Sequence, residues 1–317
     1  MEIKEKATQV NGSVSHSEIY DGEWERKDRS LNAAAVFGLL GIGVLYFNAQ
    51  TILATFGVMI TTALSPDIEI TGDFWERLQI IFDQFSTPIL ASVMISQYLF
   101  MLLPVWFLVR HWHTRRFKEY IRFHPGTIAE ILLAMAATIA IIPTGTFISN
   151  SLVQWLNIPT EFYKYSLTLF TADSTFEFIF LVLVIAITPA ICEEVFFRGY
   201  VQRTFERTMN WKSVILVGVV FGLFHMQPLG LITLSLLGIL FGYFYFRSKS
   251  LLPAIAAHFT NNFLVILLLY KAPSFDNIDL ASAEQIPLSW VFITLPISMI
   301  LLFFFHRLTA GNAEKSL

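Results

Sequence analysis

Long apolar runs separated by short polar connections dominate this chain. Eight runs predict helices that cross a membrane, because about 20 apolar helical residues span a hydrocarbon core of roughly 30 Å. The fifth run is short, and Pro228 and Gly230 favour a tight hairpin between it and the sixth run. The pattern therefore predicts an all-α fold, a polytopic membrane helix bundle with spans near residues 32–62, 86–109, 127–148, 175–197, 213–227, 229–246, 251–270 and 286–305.

The composition supports a membrane protein and excludes several other classes. Of the 317 residues, 55% are hydrophobic and 14% are charged, whereas a soluble domain carries about 25% charged residues. The net charge of −3 and the lack of a basic domain give no reason to expect nucleic acid as a partner. The single cysteine excludes an internal disulfide framework and a CxxC metal knuckle.

The basic residues fall mostly on one side of the predicted bundle. All but three of the 21 Lys and Arg residues lie in the two tails and in the second, fourth and sixth connections, the exceptions being Arg77, Lys164 and Lys271. Cytoplasmic loops carry an excess of Lys and Arg. An eight-span chain with both termini in the cytoplasm satisfies this bias, whereas a seven-span chain would scramble it.

The chain divides into four segments by composition. Residues 1–30 form a polar cytoplasmic tail without the apolar stretch of a cleavable signal peptide. Residues 31–174 supply three supporting spans and their connections. Residues 175–270 contain every ionisable residue that falls deep within a span, and 271–317 hold the last span and a short cytoplasmic tail. The functional core is therefore predicted in 175–270.

Two adjacent carboxylates stand near the end of the fourth apolar run. An unpaired charge in lipid costs about 2.5 to 3.5 kcal/mol on insertion scales, so Glu193 and Glu194 need a reason to lie there. Glu194 and Arg198 are four residues apart, share one helix face and are predicted to pair. Glu193 points about 100° away around the helix and is predicted to be free for chemistry.

Only two of the seven histidines lie inside predicted spans. His225 lies roughly 18 Å into the fifth span and His258 about 10 Å into the seventh, at 1.5 Å per residue. Asn262 follows His258 by four residues on the same helix face. Because Glu193 arrives at a similar depth from the fourth span, these four side chains are predicted to line one polar cavity, within a water's reach of one another.

Two hydrolytic chemistries fit this constellation. A desolvated glutamate beside a histidine can deprotonate water for attack on an amide carbonyl, while a second histidine and an asparagine donate to the oxyanion. Equally, Glu193, His225 and His258 can be the three protein ligands of a catalytic Zn²⁺. The metal-free route is slightly favoured, because the sequence offers few acceptors besides Glu194 and Asn262 to fix the imidazoles of a zinc site.

Three short motifs occur in order on consecutive apolar runs. EEVFFR at 193–198 matches EExxxR, Phe221 to His225 matches FxxxH, and His258 to Asn262 matches HxxxN. With these motifs the segment from about 175 to 270 resembles the CPBP family of intramembrane proteases. That family contains the type II CAAX prenyl endopeptidases and the bacteriocin-processing and immunity proteins.

The resemblance implies an endopeptidase and leaves a bound Zn²⁺ open. It also implies six site residues: Glu193 and His225 as water activators, His258 and Asn262 on the oxyanion side, and Glu194 and Arg198 completing the first motif.

Other residues near the motifs have simpler interpretations. Cys192 is expected to be a small buried hydrophobe rather than a nucleophile. Two GxxxG pairs, Gly218 with Gly222 and Gly238 with Gly242, predict close helix packing without a catalytic role. The 31 phenylalanines are interpreted as core filling and lipid contact only.

We therefore expect an intramembrane endopeptidase that cleaves a membrane-associated peptide or a lipidated protein tail. By analogy with the bacterial members of the family, it would be a multi-pass protein of the bacterial plasma membrane. One alternative is a catalytically idle scaffold or regulator of a partner membrane protein. A transporter with a Glu–His proton relay is a third possibility, but it would favour two similar halves, and the sequence shows none.

Overall fold

The structure, a computed structural model, describes residues 20–65, 67–156, 167–228, 230–271 and 287–312. Every regular element in these ranges is helical, which confirms the all-α prediction. The longer helices are α1 (Leu31–Leu64), α2 (Phe74–Gln84), α3 (Ser86–His113), α4 (Ile128–Leu156), α5 (Thr175–Met209), α6 (Lys212–Phe224), α7 (Leu231–Ser248), α8 (Leu252–Lys271) and α9 (Leu288–Leu308).

Seven of these helices, all except α2 and α6, are long and apolar enough to cross a membrane. The bundle is thus a multi-pass membrane protein, as predicted. Helix α6 is the fifth predicted span, but its 13 residues extend only about 20 Å, short of a full crossing. It packs against α7 across the predicted hairpin. The ends of both tails lie outside the described residues, and their cytoplasmic placement stays a prediction.

Helix α5 runs through the middle of the bundle. It packs against α1, α3, α6, α7 and α8, while α4 and α9 pack on each other at the side of α8. Every residue from Cys192 to Gln202 is buried, including the cysteine itself, which confirms its interpretation as a core residue. The EExxxR motif therefore lies in a continuously buried stretch of α5.

The helices at the centre widen locally into π-helical turns. Helix α5 does so at Val182–Ile187 and Val195–Gln202, and α3 does so at Gln97–Leu102 and Val109–His113. Turns of this kind are rare and occur frequently at functional sites. Two of them, 97–102 and 195–202, lie directly beside the paired glutamates.

Glycines let α6 and α7 approach closely, as the GxxxG pairs predicted. A Cβ atom on Gly218 would lie 2.4 Å from the Ile239 side chain, and one on Gly238 would lie 2.6 Å from the carbonyl oxygen of Gly218. Gly242 faces α5 instead, where a Cβ atom would lie 2.7 Å from Oε1 of Gln202. No side chain larger than hydrogen fits at these three positions without movement.

Side-chain hydrogen bonds hold the residues before α1 at one end of the bundle. Glu25 hydrogen-bonds Nδ1 of His113 at the end of α3, at 2.7 Å, and both terminal nitrogens of Arg207 near the end of α5. Burial raises the pKa of Glu25, but the hydrogen bonds and charges of His113 and Arg207 outweigh burial and hold that pKa below its usual range. Glu25 is therefore an ionised anchor for the segment that leads into α1.

A second ion cluster at the same end joins three connections. Glu206 near the end of α5 accepts two hydrogen bonds of 2.8 Å from Arg122 and one of 2.9 Å from Lys249. Arg122 lies in the α3–α4 connection and Lys249 in the α7–α8 connection. The cluster thus holds the end of α5 in a fixed position relative to both loops.

The close approach of α6 and α7 predicts that Gly238→Ala destabilises the protein. The added methyl overlaps the Gly218 carbonyl oxygen, and overpacking of this kind costs about 1 to 3 kcal/mol. Gly41→Ala in α1 is the matched control, because a Cβ atom there meets nothing within 4 Å. Thermal unfolding in detergent should show a lower midpoint for Gly238→Ala only. Equal midpoints for the two variants would contradict this packing.

Candidate active site

Glu193 of α5 and His225 at the end of α6 meet, as the sequence predicted. Oε2 of Glu193 lies 3.8 Å from Nε2 of His225. This separation is too long for a direct hydrogen bond, but a water that hydrogen-bonds to both atoms can span it. The Glu193 side chain is 10% exposed and that of His225 is 27% exposed. The pair is therefore enclosed by apolar helices yet open on one side.

The end of helix α6 sets the orientation of the His225 ring. The backbone N–H of His225 bonds to the Gly222 carbonyl, which leaves the Phe221 carbonyl without its helical donor. Nδ1 of His225 donates to that carbonyl at 2.8 Å. Because a carbonyl only accepts, the proton of the neutral ring lies on Nδ1. Nε2 then presents its lone pair towards Glu193.

Glu194 pairs with Arg198, which confirms the predicted ion pair. Nη1 of Arg198 donates to Oε1 of Glu194 at 2.8 Å, and both side chains are fully buried. The same oxygen bonds Nδ1 of His258 at 2.8 Å. Since an ionised carboxylate only accepts, the His258 proton at this contact lies on Nδ1. Glu194 therefore joins α5 to α8 and orients the second imidazole.

Aromatic rings complete the burial of Arg198. Its guanidinium carbon lies 4.5 Å from the ring centroid of Phe221 and 5.6 Å from that of Phe241. Phe241 also stacks on His258, with centroids 5.2 Å apart and an interplanar angle of 19°. Nη2 of Arg198 donates to the Gly238 carbonyl at 2.9 Å. The interpretation of the phenylalanines as filling alone is wrong for these two, because their faces stabilise a buried cation.

Asn262 of α8 contacts α5, but not beside Glu193. Its Nδ2 donates to the Ile185 carbonyl at 2.8 Å, and its Oδ1 accepts from Asn261 at 3.0 Å. Pro189 explains the first contact, because its missing N–H leaves the carbonyl four residues earlier without a helical partner. The structure thus places Asn262 about two helical turns before Glu193.

The four predicted residues form two adjoining groups rather than one compact cluster. Phe221 lies between the two histidines, with its ring centroid 4.6 Å from that of His225 and 5.8 Å from that of His258. One group is Glu193 with His225, and the other is His258 with Glu194. Both imidazoles contact the same interior ring, so neither is turned away into lipid.

No sequence motif includes Gln97 of α3, which contacts Glu193. Its Nε2 donates to Oε1 of Glu193 at 3.0 Å, and the residue is only 2% exposed. The sequence does mark Gln97 as unusual, because it is the only amide or charged side chain in the apolar run 86–109. A buried amide needs a hydrogen-bonding partner, but the sequence alone did not indicate which helix supplies it.

The residues as arranged do not fit a zinc site. Within the part of the chain that the structure describes, no three His, Cys, Asp or Glu side chains form a group that could hold a metal ion. The sequence predicted too few hydrogen-bond acceptors to fix both imidazoles, and this prediction is wrong. The Phe221 carbonyl fixes His225 and Glu194 fixes His258.

Part of the chain matches a known protein family. Residues 175–264 match the family model described as type II CAAX prenyl endopeptidase, Rce1-like. The match covers a little under a third of the chain, runs from α5 into α8, includes all three motifs and supports the CPBP resemblance. The searches of curated proteins and of solved structures found no match.

The buried ion pair predicts that Arg198→Met strongly destabilises the protein. Removal of the guanidinium leaves the Glu194 charge buried without its cation, which typically costs 3 to 5 kcal/mol, about three times the loss of a neutral hydrogen bond. Gln202→Met is the matched control, because Gln202 is also fully buried on α5 and donates to the Gly242 carbonyl at 2.9 Å. Thermal unfolding in detergent compares the two. A smaller loss for Arg198→Met than for Gln202→Met would contradict the assignment.

Proposed function

We propose that this protein is an intramembrane endopeptidase, because residues 175–264 match the family model of the Rce1-like type II CAAX prenyl endopeptidases. It hydrolyses a peptide bond in a membrane-associated peptide or a lipidated protein tail. The observation that carries this proposal is the Glu193–His225 pair enclosed by apolar helices. Oε2 of Glu193 has no hydrogen-bond partner among the described residues. Oε2 of Glu194 is also without a partner among them, but that carboxylate is held by Arg198 and His258 through its other oxygen, which leaves Glu193 as the candidate base.

The proposed reaction begins with a water bound between two acceptors. Oε2 of Glu193 and Nε2 of His225 each accept one hydrogen of the water, which leaves an oxygen lone pair directed at the substrate carbonyl carbon. Glu193 takes the proton as the carbon–oxygen bond forms. The proton then passes to the amide nitrogen as the carbon–nitrogen bond breaks. The products are one new carboxyl group and one new amine.

His258 and Asn262 are proposed to stabilise the oxyanion. The Asn262 amide has two hydrogens, and its bond to Ile185 uses one of them. The second remains to donate to a developing negative charge. His258 is held through Nδ1 by Glu194, so Nε2 is the atom through which it would serve the oxyanion. Donors fixed before the reaction stabilise such a charge without reorganisation.

An apolar groove supports a substrate with a hydrophobic part. The groove has a volume of about 530 Å³ and lies between α1 and α3, lined by Phe37, Gly41, Ile42, Leu45, Leu103, Pro104, Phe107, Leu108 and Trp112. Leu103 is less than two helical turns after Gln97 along α3. The Leu103 end of the groove is therefore the end nearer to Gln97 along α3, and we propose that the groove receives the lipid or apolar part of the substrate.

The proposal predicts that Glu193→Gln abolishes cleavage and leaves the protein folded, because an amide cannot accept the water proton. A loss of about 100- to 10,000-fold in kcat is expected for removal of a general base. The assay uses a fluorogenic peptide with an S-farnesyl C-a-a-X end and the purified protein in liposomes. Glu177→Gln, at an exposed position on the same helix, is the control and should keep full activity.

Two outcomes of this assay would decide against the enzyme. Folded wild-type protein that cleaves no prenylated or unmodified membrane peptide would favour the idle scaffold. Full activity in Glu193→Gln would show that this carboxylate is not the base.

The metal-free mechanism predicts that chelation leaves activity intact. The arranged side chains do not form a three-ligand group, so removal of divalent metal should not change kcat. Activity in detergent is measured before and after exhaustive chelation, with metal analysis of the same sample. Loss of activity that Zn²⁺ restores, with one metal ion per chain, would contradict the mechanism.

A further inference from the structure

The contact between Gln97 and Glu193 has no counterpart in the motif set. Gln97 belongs to α3, outside the matched segment 175–264, so neither the motifs nor the family match assigns it a role. Its Nε2 donates to Oε1 of Glu193 at 3.0 Å across the interface between α3 and α5. Both residues are buried, at 2% and 8% exposure.

Packing alone does not explain a glutamine at this position. An apolar side chain of similar length would fill the same space without the free energy needed to bury an amide. The Gln97 amide also contacts the Tyr46 hydroxyl of α1, while its Oε1 has no hydrogen-bond partner within the described ranges. The residue stands at the start of the π-helical turn Gln97–Leu102, which is a local departure from regular helix geometry. Its donor group is therefore the feature to be explained.

We propose that Gln97 is a positioning residue for Glu193, an inference that rests on the proposed function. The terminal torsion of a glutamate has a broad energy profile, so a carboxylate held at neither oxygen samples many orientations. The Gln97 hydrogen bond holds Oε1 and turns Oε2 towards Nε2 of His225. Gln97 thus determines which oxygen takes the proton and where the water is bound.

The kinetic test compares Gln97→Met with Gln202→Met. Methionine keeps the length of glutamine but removes the donor, and Gln202 is a buried glutamine whose bond goes to a backbone carbonyl rather than to Glu193. Gln97→Met should lower kcat about 10- to 100-fold and leave KM within about twofold, because the misplaced base acts in the transition state. Gln202→Met should keep the wild-type kcat. Equal kcat values for the wild type and Gln97→Met would overturn the proposal.

A second measurement does not depend on activity. The infrared carboxylate band of Glu193 is assigned by the difference spectrum between the wild type and Glu193→Gln. Loss of the Gln97 hydrogen bond should shift this band in Gln97→Met, and Gln202→Met should leave it in place. An unshifted band in Gln97→Met overturns the proposal. A shifted band in a protein that cleaves no peptide would support the contact and reject only the proposed function.

The shorter variant Gln97→Asn provides a second test that remains valid if the methionine variant does not fold. It keeps an amide in α3 but withdraws the donor by one methylene, so it cannot reach Oε1 of Glu193 in the same geometry. The same loss of kcat and the same band shift are expected, with an unfolding midpoint close to that of the wild type. Wild-type kcat and band position in folded Gln97→Asn would count against the proposal.

Discussion

A full positive charge at the centre of an apolar bundle is the constraint on which the site depends. Arg198 is completely buried, and a cation in that position requires a counter-charge and acceptors within the protein. Glu194 supplies the charge, the Gly238 carbonyl supplies a further acceptor, and Phe221 and Phe241 present their faces. The partners come from α5, α6 and α7. The requirement to satisfy one guanidinium therefore fixes three helices relative to one another.

The same constraint separates the two adjacent glutamates. Consecutive residues of a helix point about 100° apart, so the pairing of Glu194 with Arg198 directs Glu193 to a different interface, towards α3 and the end of α6. Glu194 also holds Nδ1 of His258. Glu194 thus holds a guanidinium and orients an imidazole, while Glu193 is the base in the proposed reaction. The two glutamates have different roles in this proposal, although they are adjacent in the chain.

The features that depend on local periodicity, namely the helices and the side-chain pairs within one helix, were predictable from the sequence. Seven of the eight predicted spans coincide with helices long enough to cross a membrane, and the four-residue spacing predicted the Glu194–Arg198 pair. The meeting of Glu193 and His225 followed from their matched depths in the membrane. Three features were not predictable in this way: the early end of α6, the Phe221 carbonyl as partner of His225, and the Gln97 contact. Each depends on how separate helices pack or on which backbone groups a helix end leaves free, and neither is encoded in the spacing of one segment.

The HxxxN spacing has a structural explanation that is independent of catalysis. His258 bonds Glu194 and Asn262 bonds the Ile185 carbonyl, so two side chains one turn apart on α8 attach to two points on α5. The second point exists because Pro189 removes a helical donor. A structural role therefore accounts for one amide hydrogen of Asn262 and for Nδ1 of His258. Any oxyanion role must use the second amide hydrogen and Nε2. The motif spacing alone is thus weaker support for catalysis than the Glu193–His225 pair, whose arrangement no packing requirement explains.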